Sequence, residues 1–93
     1  MYNAKFPIEL NICEVFSHIV EKYPRKTALK ENSCVLTYEE LDQVSTAYSS
    51  WLNISSGERV GIFCHSAINT VVAMLSILKA GGVYVPLNFS HQD

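Results

Sequence analysis

Two residue pairs in this chain carry the types and spacing that could do chemistry: His65-Ser66 and Gly81-Gly82, one at each end of a strongly apolar run. A histidine and a serine where a strand gives way to a helix occupy the place where α/β proteins often bind ligands. The free N–H groups of the following helix would favour an anion there. The plainer reading leads: Ser66 caps the helix and His65 is a surface residue. Gly81-Gly82 does not read as a phosphate loop, because such a loop places its glycines ahead of a helix and this pair follows one. It reads as a helix C-cap, with one glycine taking the left-handed conformation. Cys13, Cys34 and Cys64 lie far apart with no C-x-x-C pair. That odd, scattered set points to a reducing compartment and apolar packing roles, and away from a metal site. His18 falls on the polar side of a helix and His91 lies in the C-terminal tail. No Ser-His-Asp order or carboxylate pair has a motif around it, so no catalytic residue is assigned.

The composition frames these residues. Ninety-three residues with 48% hydrophobic and 17% charged side chains describe one small domain with a packed core. A net charge of −2 and seven scattered Lys and Arg residues form no basic stripe, which argues against nucleic acid as a partner. The chain opens without a charged and apolar leader pattern, so no signal peptide is expected. The longest apolar stretch, Val71 to Leu78, is short of the about 20 residues a membrane span needs, and the cytoplasm is the expected location.

The elements that position these residues follow from periodicity and caps. Residues 1–10 read as an extended lead-in. Asn11 fits an N-cap with Glu14 as its return partner. Ile12, Val15, Phe16, Ile19, Val20 and Tyr23 then recur at helical spacing until Pro24 ends the helix. Ala28-Leu29-Lys30 and Cys34-Val35-Leu36 form the arms of a hairpin turning at Glu31-Asn32-Ser33. Thr37, Tyr38, Glu39 and Glu40 make a second capping box, with Glu40 returning to Thr37. In the helix it opens, Tyr38, Leu41, Val44, Tyr48, Trp51 and Leu52 give an apolar side, and core packing is the leading reading for Trp51. Glu39, Glu40, Gln43 and Thr46 face water.

Arg59 to Cys64 is a near-continuous apolar run that suits a strand buried on both faces. The helix from about Ala67 to Ala80 is apolar nearly all round and should be sandwiched. Lys79 stands at its negative end. Val83-Tyr84-Val85 is the next strand, followed by Pro86. Strand, helix and strand over roughly 30 residues make a right-handed βαβ unit with a parallel strand pair. The fold class is therefore α/β, with three helices, an antiparallel β-hairpin and a βαβ parallel pair. Val60, Ile62, Val72, Leu75, Val83 and Val85 should share one core. Ile68, Val71, Met74, Leu75, Ile77 and Leu78 surround most of the third helix. A leftover apolar patch of these residues, with the edge Val83–Val85, is expected as an interface.

The chain also resembles the opening part of a nonribosomal peptide synthetase adenylation domain, of the adenylate-forming, AMP-binding superfamily. LTYEELD (Leu36 to Asp42) is similar to the first core motif of that family and LKAGGVYVPLN (Leu78 to Asn88) to the second. NICEVFSHIVEKYPRKTAL resembles the helix ahead of the first motif. YNAKFP resembles the linker from an upstream condensation domain, so residues 1–10 are assigned to a linker and 11–93 to the α/β unit. The second motif in the family usually closes on an aspartate and a proline pair, where this chain has Asn88, Phe89 and Gln92. The matched positions Thr37, Tyr38, Glu40, Lys79, Gly81, Gly82 and Pro86 carry structural roles in the resemblance.

The resemblance implies that the phosphate loop, the amino-acid pocket and the catalytic lysine lie beyond the matched motifs. The expectation is then a non-enzymatic, truncated adenylation-domain stub without cofactor or metal. It would serve as a structural or interaction module beside a condensation domain or a carrier protein, or pair with itself. The alternatives are one half of a split amino-acid-adenylating enzyme, and a relic or laboratory fragment with no function alone.

Overall fold

The computed structural model describes residues 12–63 and 66–87. The elements run α1 (Ile12–Lys22), β1 (Thr27–Glu31), β2 (Cys34–Thr37), α2 (Tyr38–Trp51), β3 (Arg59–Ile62), α3 (Ala67–Lys79) and β4 (Val83–Pro86). The expected caps at Asn11, the linker assignment of residues 1–10, and the readings of Cys64, His65 and His91 lie outside the described residues.

Two small sheets form among the described residues. β1 and β2 pair antiparallel, with Leu29 opposite Leu36 and Glu31 opposite Cys34, and the register shifts between Thr27 and Leu29. Glu31 ends β1, so the turn is the two residues Asn32 and Ser33. Asn32 takes φ 57, which asparagine tolerates in a tight hairpin. β3 and β4 pair parallel, Arg59 to Val83 through Ile62 to Pro86, with α3 as the crossover. The three helices, the hairpin and the βαβ unit are those expected from the pattern. The capping box is complete: the Thr37 N–H donates to Glu40 Oε1 at 2.9 Å, and the Glu40 N–H donates to Thr37 Oγ1 at 3.1 Å.

α3 is the centre of the structure, touching α1, α2, β1, β3 and β4. The core joins Phe16, Leu41, Ile68, Val72 and Leu75, with Val20, Leu29, Leu36, Tyr38, Val44 and Val71 packed around them. The Phe16 and Tyr38 rings meet at 6.3 Å between centroids. This arrangement corrects several expectations. Ile68, Leu75 and Ile77 are buried, and Val71, Met74 and Leu78 are half-buried. Among the described residues five neighbouring elements touch α3, and none of its large apolar side chains is exposed.

The exposed apolar surface lies elsewhere. Trp51 is 80% exposed and Tyr48 53%, so the far end of α2 projects beyond the core instead of packing in it. Ile12, Val15 and Tyr23 are also exposed, because α1 rests on the core chiefly through Phe16. β3 is not buried on both faces: Ile62 is buried, Val60 is half-buried, and Arg59 and Gly61 are exposed. Val83 and Val85, also exposed, stand outside the shared core, since α3 covers a single face of the strand pair. Of the cysteines expected to pack, Cys13 is half-buried and Cys34 is exposed; both are free thiols.

Candidate functional site

The two junctions that flank α3 are the places where sequence alone puts chemistry. At the first, Ser66 is the N-cap, and its Oγ accepts from the Asn69 N–H at 3.2 Å. The same hydroxyl donates to Glu31 Oε1 at 2.7 Å. Glu31 comes from the end of β1, thirty-five residues away. Its carboxylate also accepts from the Ala67 N–H at 3.1 Å and the Ile68 N–H at 3.2 Å. The Ser66 hydroxyl, then the Ile68 and Ala67 amides, hold the Glu31 carboxyl below its ordinary pKa. A carboxylate here answers both the orphan N–H groups and the positive end of the helix dipole. The anion position considered at His65-Ser66 is thus taken by the chain's own side chain. Glu31 read as a turn residue in the sequence. The partner of a helix N-terminus across a long loop leaves no local signal.

The second junction closes α3. Gly81 has φ 90, and its N–H donates to the Leu78 carbonyl at 3.0 Å. The Gly82 N–H reaches the Ile77 carbonyl at 2.9 Å. These bonds satisfy the last carbonyls of the helix, which is the C-cap role expected for the pair. The Gly81 carbonyl accepts from the Gly57 N–H at 2.8 Å, and the Val83 N–H donates to the Glu58 carbonyl at 2.8 Å, so the cap leads straight into the β3–β4 ladder.

Lys79, one residue before the end of α3, does more than face a helix dipole. Its Nζ donates to Asp42 Oδ1 at 2.7 Å, to Thr46 Oγ1 at 2.8 Å and to the Asp42 carbonyl at 3.2 Å. All three ammonium donors have acceptors on α2, and the ammonium sits 5.4 Å from the centre of the Phe16 ring. The two resembling motifs are therefore joined, Asp42 from the first and Lys79 from the second. Thr46, read as a solvent-facing residue, is the third partner. Burial pushes the Cys13 thiol above its ordinary pKa against the opposing pull of Lys79, which leaves it a poor nucleophile. Tyr38 packs at the core edge, and Pro86 ends β4 opposite Ile62. Among the described residues no group of three or more His, Cys, Asp or Glu could hold a metal, and no helix is long and apolar enough to cross a membrane.

An apolar groove of about 410 Å³ opens between the end of α2, β3 and α3. Tyr48, Trp51, Val60, Ile62 and Phe63 wall it, and Asn69 and Ser76 are its polar residues. Among the described residues no acidic or basic side chain lines it, and those residues offer shape and apolar surface. Sequence periodicity placed Tyr48 and Trp51 correctly on one side of α2 but gave no sign that this side runs past the core.

Junctions closed by internal contacts, with a parallel strand pair joined through a central helix, define a small α/β unit. Residues 16–93 match the AMP-binding enzyme family, and the chain belongs to that family. It is 32% identical to a medium/long-chain-fatty-acid–CoA/3-oxocholest-4-en-26-oate–CoA ligase of Mycolicibacterium smegmatis, over 90% of this chain and 16% of that protein. It is 36% identical to syringomycin synthase SyrB1 of Pseudomonas syringae, over 81% of this chain and 13% of that protein. In structure it matches the N-terminal subdomain of NpsA from Klebsiella oxytoca with a TM-score of 0.79 and 28% identity, covering 83% of this chain and 21% of that one. The chain thus spans about a sixth or less of the length of these curated relatives, and its fold is that of a part of an adenylation domain's N-terminal subdomain.

Proposed function

We propose that the chain serves as a non-catalytic structural and interaction module of a nonribosomal peptide assembly line in the cytoplasm, beside a condensation domain or a carrier protein. The observation that carries this reading is Glu31. It fills the α3 N-terminus, the position in the βαβ unit best suited to a phosphate, with three hydrogen bonds from Ser66, Ala67 and Ile68. An incoming anion would have to displace a carboxylate already held there. The similarity to syringomycin synthase supports the assembly-line setting. Calorimetry with magnesium and ATP on the 93-residue chain should give no stoichiometric heat, and the chain should not exchange pyrophosphate in the presence of amino acids. Micromolar ATP binding would overturn the reading.

A second reading has an observation of its own. Val83, Val85 and Leu87 remain exposed on and beside β4, the kind of surface a complementing chain would cover. In that case the chain is one half of a split amino-acid-adenylating enzyme. Co-expression with a chain carrying a phosphate loop and catalytic lysine would then restore amino-acid-dependent pyrophosphate exchange.

A further inference from the structure

We propose that the aromatic groove at the end of α2 pairs with the same groove of a second copy, the Trp51 ring of each chain entering the groove of the other. This deepens the interaction-module reading and rests on it, naming the surface and the partner. Trp51 lines the groove and also a second, shallow depression with Ala47 and Tyr48. It therefore stands as a knob beside a hole on one surface. When knob and hole belong to the same face, a two-fold axis satisfies both at once and closes the assembly.

The area is of the right order. Aromatic side chains present about 150–250 Å² each. With Trp51 at 80%, Tyr48 at 53% and Phe63 at 50% exposure, the three rings leave about 400 Å² open per copy. Two facing copies then bury up to about 800 Å² of ring surface before the aliphatic wall of Leu52 and Val60 is added, approaching the about 1,000 Å² that a weak biological interface should clear. Among the described residues no acidic or basic side chain lines the groove, so their side chains bring no like-charge repulsion when two copies meet there. Tyrosine and tryptophan are also the residues that most often dominate such contacts.

Trp51 is the chain's single tryptophan, so its fluorescence reports on this face alone. The experiment follows sedimentation and tryptophan emission of the 93-residue chain over a wide concentration range. The expected result is a monomer–dimer transition with a parallel shift of emission to shorter wavelength. Asn69→Arg sets a charge into the groove from an exposed helical position and keeps the reporter. It should move both transitions at least tenfold higher in concentration, with an unchanged circular dichroism spectrum. Trp51→Ala should sediment as a monomer. A monomer with water-like emission at every concentration overturns the proposal. So does a dimer whose emission does not move, which would use another face, and so does a monomer with shifted emission, which would have filled the groove from its own chain. ATP binding in the calorimetry would remove the interaction-module reading without altering the outcome here, so the two can fail separately.

Discussion

Gly81 and Gly82 are adjacent, both follow α3, and they resist substitution for different physical reasons. Gly81 has φ 90, a region that costs an L-residue about 1–2 kcal/mol. Space is not its constraint, since a Cβ there would come no closer than 3.9 Å, to Ser56 Cα. Alanine also restricts the unfolded chain, which returns about 0.4–1 kcal/mol. The net loss for Gly81→Ala is then about 1 kcal/mol. Gly81→Val should lose about 2 kcal/mol, because a β-branched side chain resists positive φ more strongly. Gly81→Asn should lose least, since asparagine visits this region readily.

Gly82 has ordinary backbone angles and is buried, and its constraint is contact. A Cβ there would meet the Glu58 carbonyl oxygen, Ile54 Cγ2 and Ile77 Cγ2, each at 3.1 Å. The Glu58 carbonyl is fixed by the Val83 N–H at the start of the strand pair, so it has little freedom to retreat. Overpacking of this kind costs about 1–3 kcal/mol and grows with side-chain size. At this position Asn should therefore be worse than Ala, the reverse of the order at Gly81. Thermal unfolding of the five single variants reads the difference, at about 4–8 °C per kcal/mol for a domain of this size. Asn and Val equally harmful at position 81, or Ala harmless at position 82, would refute the assignment of conformational strain to one glycine and contact to the other.

Two further outcomes follow from the contacts around α3. Lys79→Met should cost about 1–2 kcal/mol in chemical denaturation: Lys79 is only 16% exposed and loses three hydrogen bonds, while Asp42, at 40%, regains water. A cycle with Asp42→Asn should show a coupling above about 0.5 kcal/mol, and strict additivity would deny the clasp. Glu31 has a lowered folded pKa, so its contribution is complete above the ordinary glutamate range and is lost as pH falls through the lower folded value. Glu31→Gln should flatten that acid limb of the stability profile, and an unchanged profile would show that the α3 cap does not depend on the charge.

Legibility in the sequence followed the range of each interaction. Thr37 and Glu40 are three residues apart, Ser66 caps the helix beside it, and Gly81 closes the turn it sits in. Each is a short-range device, and each was readable. Lys79 with Asp42 and Glu31 with Ser66 join residues more than thirty positions apart. Their types and local context fit simpler roles, a dipole partner for Lys79 and a turn residue for Glu31, and nothing local contradicts them. Exposure failed for a related reason. Helical periodicity shows which side of α2 is apolar but not where the core ends along its axis, so it points Trp51 into the core while the structure leaves the ring 80% exposed. An all-round apolar α3 was correctly read as sandwiched. Ile68 and Ile77, expected in a leftover patch, are buried because five elements converge on that one helix, while the Val83 and Val85 part of the expected surface is exposed.

The distribution of burial divides the chain into two parts of unequal self-sufficiency. Phe16, Leu41, Ile68, Val72 and Leu75 close a core among the helices, against the Leu29 and Leu36 arms of the hairpin. Glu31 and Lys79 then tie each end of α3 to that core. The β3–β4 pair is held to it differently, through Ile62, Ile77 and the Gly81–Gly82 turn, while Val83, Val85 and Leu87 stay exposed. Among the described residues the pair has no further strand beside it, and a two-stranded sheet is only marginally stable in water without a neighbour. The strand pair should therefore exchange its amide hydrogens faster than α2 and α3, even though its ladder is regular. Protection of the Val83 and Leu87 amides, which donate to the Glu58 and Ile62 carbonyls of the ladder, equal to that of Leu75 would mean that the face is already covered in solution. Coverage brought by dimer formation would rise with concentration, whereas coverage within the chain would not.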